Sequence, residues 1–278
     1  MPELPEVETI KNAIQKALKK ATVEDVIIKN HQLRVPVSKD LSFKLTGCRI
    51  KDYRRIAKYI VIDFENDLSL ILHLGMSGKI KLSDDYKIKE KHDHIIFKTS
   101  EGYMVYNDPR RFGLCILSDS KTLLSHKLFK NIGNEPFDNN LTDNVFYNKI
   151  QKKNVSIKQA LLDQSIICGI GNIYASEALF SAKILPTRKT NTLSLNECGI
   201  LLDKIRETLK KAINAGGSTL RDYKKPDGSL GYFQNLHCVY NKTGQPCPNC
   251  SCNPEKTGGI RKIIQNGRST FFCATKQR

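Results

Sequence analysis

The 278-residue sequence contains no apolar run that approaches the roughly 18 to 20 residues of a membrane-spanning helix. No apolar signal-peptide core follows Met1 either, because the first twenty residues form a charged amphipathic pattern. Internal repeats and low-complexity tracts are absent as well. These absences predict a cytoplasmic protein that has no membrane partner.

Acidic residues are scarce, since 28 Asp and Glu stand against 45 Lys and Arg, for a formal net charge of +17. An excess of positive charge on this scale favours a polyanionic partner. Nucleic acid is the first candidate and an anionic membrane surface the second. The length allows one large domain or two modest ones, and we expect two.

Four of the nine cysteines stand singly in apolar or helical stretches: Cys48, Cys115, Cys168 and Cys198. We expect these to be buried thiols, because a reducing cytosol disfavours disulfides. The remaining cysteines cluster near the C-terminus, where their spacing carries a different meaning.

Hydrophobic periodicity predicts an amphipathic helix from Pro5 to about Lys20. From Val23 to about Leu117 it changes to short β-type runs separated by turn residues: VEDVII, YIVIDF, LSLILHL, HIIFKT, YMVYN and LCILS. Six or more strands without intervening helices indicate a sandwich or a barrel.

The chain from Leu123 to Gly216 is predicted to be helical. Its clearest helix spans Ser194 to Asn214, where SLNE forms a capping box and a glycine pair ends the pattern. Residues 135–144 have the composition of a linker, and residues 216–235 that of a long functional loop.

The chain opens with MPELPEVET, which places prolines at positions 2 and 5. Pro5 suits the first turn of a helix, and Glu6 and Glu8 complement its N-terminus. Pro2 has no such explanation. Initiator methionine is often removed before proline, which leaves a secondary amine able to act as a nucleophile.

The C-terminal motif CPNC, residues 247–250, has the spacing with which two thiolates bind one zinc ion, and Cys273 offers a third. The expected fourth position is Lys276, whose ammonium cannot ligate while it is protonated. Cys252 is the nearest substitute, with Cys238 or His237 as further options. A hairpin without metal is the alternative interpretation.

Four other motifs suit contacts with DNA, although each is also compatible with an ordinary structural role. Arg268 follows an Asn-Gly turn signal and is suited to bind a phosphate, and Gly169–Asn172 precedes a predicted helix whose N-terminus favours an anion. NDPRRFG at 107–113 and HLGMSG at 73–78 offer apolar wedges on turns. His92 and His94, in KHDH, are predicted to be structural rather than metal ligands.

These motifs, together with RRIAKY and GIGNIYASEALF, resemble the bacterial formamidopyrimidine-DNA glycosylases, and the resemblance runs in order from Pro2 to Cys273. This family removes 8-oxoguanine and ring-opened purines from DNA. The resemblance therefore implies a bifunctional DNA glycosylase and AP lyase that acts, as a monomer, on double-stranded DNA containing oxidised bases. Endonuclease VIII-like activity on oxidised pyrimidines and a non-catalytic DNA-binding zinc-finger protein are the alternatives.

The resemblance also implies roles for individual residues. Pro2 attacks the sugar C1′ with Glu3 as general acid and base, Glu6 belongs to the same site, and Lys58 supports catalysis and binds phosphate. The implied phosphate contacts are His73, Arg111, Asn172 and Arg268. The residues implied to fill the gap left by the flipped nucleotide are Met76, Arg110 and Phe112. Lys158 is implied to handle the damaged base.

The implied fold class is α+β. An N-terminal β-sandwich flanked by a helix forms a catalytic domain at 1–122, and a helix-two-turn-helix domain with a lesion-capping loop occupies 123–236. A zinc-finger-like β-hairpin at 237–278 would hold one structural zinc ion through Cys247, Cys250, Cys273 and, as the substitute fourth ligand, Cys252.

Overall fold

The computed structural model describes residues 1–86, 90–218, 226, 228–248, 250 and 253–278. The chain divides into two units, Met1–Lys130 with Ile213–Gln234 and Asn131–Ala212 with Asn235–Arg278. The domain boundaries after residues 122 and 236 stay predictions. No helix among the described residues is long and apolar enough to cross a membrane.

Eight antiparallel strands form two four-stranded sheets in the first unit, ordered β1-β6-β7-β5 and β2-β3-β4-β8. Their bounds are β1 Val23–Ile28, β2 Ile50–Ile56, β3 Tyr59–Phe64, β4 Leu68–His73, β5 Lys79–Ser83, β6 Asp93–Thr99, β7 Gly102–Asn107 and β8 Leu114–Asp119. One buried apolar cluster draws side chains from both sheets. The predicted sandwich is therefore confirmed.

Two helices belong to the same unit, α1 at Leu4–Leu18 and the short α2 at Leu41–Leu45. The apolar face of α1, including Val7, Ile10 and Ile14, is buried in the sandwich core. Burying a side chain of this kind contributes about 1.5–3 kcal/mol. That packing fixes the N-terminal end of the chain against the sheets.

Two strands were not predicted from the sequence, β2 and β5, and both are edge strands. Their segments, IKDYRRI and KIKLS, carry several charged side chains. Charged residues on an edge strand discourage pairing with another chain, and they also hide the apolar pattern that reveals a strand. The predicted central strands agree with the structure to within one residue at either end.

The second unit contains four longer helices and a hairpin. The helices are α3 Asp143–Gln151, α4 Ile157–Leu162, α5 Asn172–Ser181 and α6 Leu195–Asn214, followed by the short α7 Pro254–Thr257 and strands β9 Arg261–Gln265 and β10 Arg268–Phe272. The predicted capping box exists, because Ser194 Oγ accepts from the Glu197 N–H at 3.2 Å and Glu197 Oε2 accepts from the Ser194 N–H at 2.8 Å. The predicted linker ends two residues early, since α3 begins at Asp143 behind its cap Thr142.

Candidate functional site

The first residues of the chain are buried together with two carboxyl groups. Glu3 is 4% exposed and Glu6 is 2% exposed, and Pro2 is buried as well. The Glu3 N–H donates to Glu6 Oε2 at 2.8 Å, which satisfies one of the free amides at the start of α1. The secondary amine that Pro2 would expose after removal of Met1 therefore lies in a dry, acidic setting.

Glu6 also binds the segment that follows α6. The Ser218 N–H donates to Glu6 Oε1 at 2.8 Å. Gly217 has φ +80°, and a Cβ on it would lie 2.8 Å from Glu6 Oε1. Only glycine fits this approach, so the glycine pair that signalled the end of a helix also holds the start of the 216–235 loop against the N-terminus.

Lys58 lies on the tight turn between β2 and β3 and is 8% exposed. Ala57, before it, has φ 53°, a left-handed conformation that is uncommon for a residue with a side chain. Arg55 fixes the turn, because its Nε donates to Glu8 on α1 at 2.8 Å and its Nη1 to the Ala57 carbonyl at 2.9 Å. The buried lysine is thus tied through Arg55 to the helix that begins close to Pro2.

His73 ends β4 close to positive charge. Burial, which is the largest cause, and the nearby charges of Lys58 and Arg34 together lower the pKa of His73 to about 4, against the opposing effect of Asp108. Its Nδ1 accepts from the Gly75 N–H at 3.1 Å. His73 is therefore a neutral imidazole at physiological pH, with Nε2 as its donor nitrogen.

The two predicted wedge turns touch each other. A Cβ on Gly75 would lie 2.5 Å from the backbone of Phe112, so the turn carrying Met76 is pressed against the turn carrying Arg110 and Phe112. Met76 is 43% exposed and Phe112 is 46% exposed. The Arg110 guanidinium lies 4.8 Å from the centre of the Phe112 ring. The structure thus brings these three predicted residues together as an exposed apolar and cationic projection.

Asp108 holds both turns in place, and the sequence motif assigned it no role. It is fully buried and accepts from Ser77 Oγ at 2.7 Å, the Gly113 N–H at 2.9 Å and the Arg110 N–H at 3.3 Å. His94 Nε2 lies 2.8 Å from its carbonyl oxygen. The predicted structural role of His94 agrees with this contact.

Arg111 completes the second turn with φ 57°, and its side chain is exposed. Its backbone N–H donates to the Asp108 carbonyl at 3.2 Å. A left-handed backbone is uncommon for a residue with a side chain and interrupts the path of a regular strand. Such strain is typical of functional turns.

In the second unit, Lys158 and Asn172 both bind the hairpin strand β10. Lys158 is 1% exposed, and its Nζ donates to Thr270 Oγ1 at 2.7 Å and to the Ser269 carbonyl at 3.0 Å. Asn172 Nδ2 donates to the same Ser269 carbonyl at 2.9 Å. These contacts place Lys158 as an anchor of the hairpin, while its implied part in handling the damaged base stays a prediction.

Arg268 begins β10 directly after a tight turn, in which Asn266 has φ 48° and Gly267 has φ 72°. This geometry agrees with the turn signal in the sequence. The Arg268 side chain is exposed and borders an open cavity of about 400 Å³ that Lys153 and Lys158 also line. An exposed guanidinium at a hairpin tip can form a forked contact with phosphate.

Glu177 on α5 is a structural anchor that sequence reasoning missed. Its carboxylate is 3% exposed and accepts from the backbone N–H groups of Cys238, Val239 and Tyr240 at 2.7, 3.0 and 2.8 Å. Burial raises the pKa of Glu177, while these three bonds lower it. No local pattern reveals such a partner, because the donors lie more than sixty positions away.

Three predicted metal ligands converge. The sulfur atoms of Cys247, Cys250 and Cys273 all lie within 4.8 Å of one another, which suits thiolates that share one tetrahedral metal ion. Cys252 lies outside the described residues. Lys276 donates to the Pro248 carbonyl at 3.2 Å and has no sulfur to offer. The described donors therefore fit three of the four positions of a structural zinc site.

The comparisons with known proteins cover both units. A family model described as the formamidopyrimidine-DNA glycosylase N-terminal domain matches residues 1–115, and the H2TH domain model of the same family matches residues 132–224. A formamidopyrimidine-DNA glycosylase of Rickettsia africae is 46% identical over 100% of this chain and 99% of its own length. The chain belongs to the formamidopyrimidine-DNA glycosylase family.

Other relatives support the same placement. A formamidopyrimidine-DNA glycosylase of Roseobacter denitrificans is 41% identical, and the alignment covers 100% of both chains. A variant of the Lactococcus lactis protein, solved with DNA that contains Fapy-dG, superposes with a TM-score of 0.90 at 36% identity and 100% coverage of both chains. Another structure of the Lactococcus lactis protein contains an abasic site in its DNA and has a TM-score of 0.90 over 99% of each chain.

Within this member of the formamidopyrimidine-DNA glycosylase family, the predicted residues fall into clusters that lie inside single units. Pro2, Glu3 and Glu6 form one cluster, and the wedge residues form another. His73 connects the wedge to Lys58, because it begins the wedge turn and responds to the charge of that lysine. Asp108 and Arg34, which were not predicted, act on the wedge turns and on His73 respectively. Glu177, also not predicted, holds the backbone of residues 238–240 in the second unit.

Proposed function

We propose that this chain is a bifunctional DNA glycosylase and AP lyase that removes oxidised purines, 8-oxoguanine and formamidopyrimidines, during base excision repair. The observation that carries the proposal is the burial of Pro2 beside the carboxyl groups of Glu3 and Glu6, in a chain that belongs to this family. In such a site the amine that acts as nucleophile lies next to carboxyl groups that can transfer protons.

Pro2 is the proposed nucleophile once Met1 has been removed. A terminal α-amine with an ordinary pKa of about 7.7–8.0 is roughly one tenth neutral at pH 7, whereas a lysine is almost wholly protonated. The neutral amine attacks the sugar C1′, the bond from C1′ to the damaged base breaks, and the base leaves with a proton. Glu3 is proposed to transfer protons in this step, and Glu6 to hold the first turn of α1 in place.

The Schiff base formed between Pro2 and the opened sugar then allows two eliminations. The iminium withdraws electrons from the neighbouring carbon, whose proton is lost as the 3′ phosphate leaves in β-elimination. Loss of the 5′ phosphate in δ-elimination follows. Hydrolysis of the remaining iminium frees the amine, so no redox cofactor enters the proposed reaction.

Phosphate contacts are proposed for Lys58, His73, Arg111, Asn172 and Arg268. Arg111 and Arg268 are exposed cations, and His73 is a neutral donor because of its low pKa. Met76, Arg110 and Phe112 are proposed to fill the stack that the flipped nucleotide leaves. Flipping costs a few kcal/mol, which an inserted wedge offsets, and glycosylases in general extrude their target base in this way. Lys158 remains a proposed contributor to lesion handling, through the position it gives β10.

Zinc is the proposed metal, held by the thiolates of Cys247, Cys250 and Cys273, with Cys252 as the proposed fourth ligand. When bound, the ion supplies structural cross-linking and takes no part in the reaction. The proposed partner is double-stranded DNA with oxidised bases, which the chain binds as a monomer in the cytoplasm.

Borohydride trapping tests the proposed nucleophile. Protein whose Met1 has been removed, as verified by mass spectrometry, is incubated with a duplex containing 8-oxoguanine opposite cytosine and then reduced. A covalent protein–DNA adduct is expected for the wild type and is expected to disappear in Pro2→Gly, while Glu3→Gln strongly reduces it. Protein that retains Met1 is the matched control, because its Pro2 nitrogen is an amide.

A wild-type protein that binds the duplex without forming an adduct would leave only a DNA-binding role. Substrate class is tested separately, by comparing cleavage of 8-oxoguanine with cleavage of thymine glycol under the same conditions. Faster cleavage of thymine glycol would contradict the oxidised-purine proposal. Metal analysis of the wild type beside Cys252→Ser tests the fourth zinc ligand.

A further inference from the structure

Lys276 stands at the position where the spacing of the zinc motif would place a fourth ligand. Cys247 and Cys250 are separated by two residues, and Cys273 and Lys276 have the same separation. The Lys276 Nζ donates to the carbonyl of Pro248, which lies between the first two cysteines. The lysine therefore places a positive charge directly against the loop that carries two of the three thiols.

The surroundings of the three thiols are apolar. Cys247 and Cys273 belong to a buried cluster with Phe180, Val239, Ile260 and Phe271, and they are 5% and 1% exposed. The Lys276 Nζ lies 4.3 Å from the centre of the Phe180 ring. The ammonium thus contacts both the metal loop and the aromatic side chain that packs beneath it.

The negative charge of a metal ion bound by thiolates gives the position of Lys276 a candidate function. Three thiolates around a divalent ion leave a net charge of about −1, and four leave about −2, so the metal-bound centre is an anion at the edge of an apolar cluster. Burying an uncompensated anion is costly, and a nearby cation reduces that cost. No carboxylate among the described residues forms an ion pair with Lys276, so no acidic side chain in that part of the chain neutralises its charge.

We propose that Lys276 is the charge partner of the metal–thiolate centre: it does not ligate the ion, and its ammonium compensates the negative charge of the thiolates from outside. This inference rests on the zinc site proposed above. It holds whichever group supplies the fourth ligand, because four thiolates need a compensating cation more than three do. Lys276 is thus a positioning residue whose charge compensation exists only when metal is bound, in addition to its contacts with Pro248 and Phe180.

Competition titrations of the full-length chain with zinc and a chromophoric chelator test the proposal. Lys276→Met is expected to weaken zinc binding by about 10- to 100-fold, the range typical for loss of an outer-shell partner of metal ligands. Lys276→Arg keeps the charge but cannot ligate, and it is expected to bind zinc as the wild type does. The difference between Lys276→Met and the wild type is expected to shrink at high salt, because Lys276 is only partly buried.

A purely structural role would leave a different signature. The thermal midpoints of the wild type and of Lys276→Met are expected to differ little in the metal-free forms, where only the contacts with Pro248 and Phe180 are lost, and to differ more in the zinc-bound forms. Equal loss of stability with and without zinc would overturn the proposal, since it would assign Lys276 to packing on Phe180. Zinc binding by Lys276→Arg as weak as that of Lys276→Met would also overturn it, because that result indicates direct ligation by the lysine.

Two further results would overturn the inference: wild-type affinity in Lys276→Met, and absence of zinc binding in every variant. Failure of this inference is distinguishable from failure of the proposed function. Borohydride trapping at Pro2 reports on the nucleophile in the other unit, and its outcome is read from a covalent adduct rather than from metal affinity.

Discussion

Replacement of Asp108 by asparagine would test how the wedge turns are held. The carboxylate receives two short bonds, from Ser77 Oγ at 2.7 Å and from the Gly113 N–H at 2.9 Å. In the variant, the amide oxygen can still accept from Gly113 and the amide nitrogen can donate to Ser77, whose hydroxyl rotates. The Arg110 N–H keeps Ser77 Oγ as an acceptor at 3.2 Å. The variant therefore keeps these hydrogen bonds and loses mainly the extra strength that a charged acceptor gives them.

The expected cost follows from the difference between charged and neutral hydrogen bonds. Bonds to charged groups contribute about 1.5–3 kcal/mol and neutral ones about 0.5–1.5 kcal/mol, so each of the two bonds loses about 1 kcal/mol. Asp108→Asn is thus expected to cost about 2 kcal/mol. Asp108→Ala leaves the buried Gly113 N–H without its acceptor, and we expect it to cost roughly 3–5 kcal/mol.

The functional readout compares two duplexes under single-turnover conditions, well below the unfolding midpoint of each variant. A paired 8-oxoguanine must be flipped, which requires the wedge, whereas a preformed abasic site has no base to unstack. If the loosened turns reduce by about 1 to 2 kcal/mol the stabilisation that the wedge gives the flipped state, cleavage of the 8-oxoguanine duplex falls by about 5- to 30-fold. Cleavage of the abasic duplex is expected to change much less.

Asp119→Asn is the matched control, because the Asp119 carboxylate accepts from the Lys121 N–H in an exposed turn that carries no proposed site residue. It should leave the ratio of the two rates unchanged. The reasoning about Asp108 is wrong if Asp108→Asn cleaves both duplexes at wild-type rates, or if both rates fall equally.

Four further expectations concern charge and buried polar groups. Arg268→Gln should reduce the slope of log affinity against log salt by about 1, whereas His73→Gln should weaken DNA binding without changing the slope, because a neutral imidazole releases no counterion. The pKa of His73 is about 4 in the folded chain and near 6.5 in the unfolded chain. The stability that neutral His73 contributes is therefore complete above pH 6.5, and up to about 3 kcal/mol of it is lost as the pH falls toward 4. Urea titrations of His73→Gln should show a smaller loss of stability over this pH range than those of the wild type. Glu177→Gln places an amide nitrogen against a backbone donor and should cost about 1–3 kcal/mol, with faster proteolysis near Cys238 as the readout. Tyr53→Phe removes a buried hydroxyl that has no hydrogen-bond partner among the described residues, and urea unfolding should show a gain of up to about 1 kcal/mol.

Local patterns were sufficient to predict the elements whose cause is local. The strands at Val23–Ile28 and Tyr59–Phe64 have the bounds that their apolar runs predicted. The capping box before α6 and the Asn-Gly turn before β10 also depend on neighbouring residues alone. The edge strands β2 and β5 escaped prediction because their charged residues, which discourage pairing with another chain, obscure the alternation that marks a strand.

The contacts that organise the site are long-range, and this is why the sequence alone did not reveal them. Glu6 and Ser218 lie 212 positions apart, and Lys158 and Thr270 lie 112 apart. The sequence motif around Asp108 was recognised, but the role of the Asp108 carboxylate became clear only from the structure, where the turn that carries Met76 packs against the turn that carries Phe112. Residue type identified the candidates for chemistry, while the residues that position them became visible only in the fold.

Two cations act on His73 at the proposed phosphate site before any phosphate is present, although burial is the largest cause of the low pKa of this histidine. Lys58 and Arg34 both oppose protonation of this histidine, and the opposing influence of Asp108 does not cancel them. Like charges held together destabilise the free protein, and an anion bound among them relieves the repulsion. A DNA phosphate at this position would therefore raise the pKa of His73 while it stabilises the first unit, so binding and proton uptake are coupled below about pH 6.5.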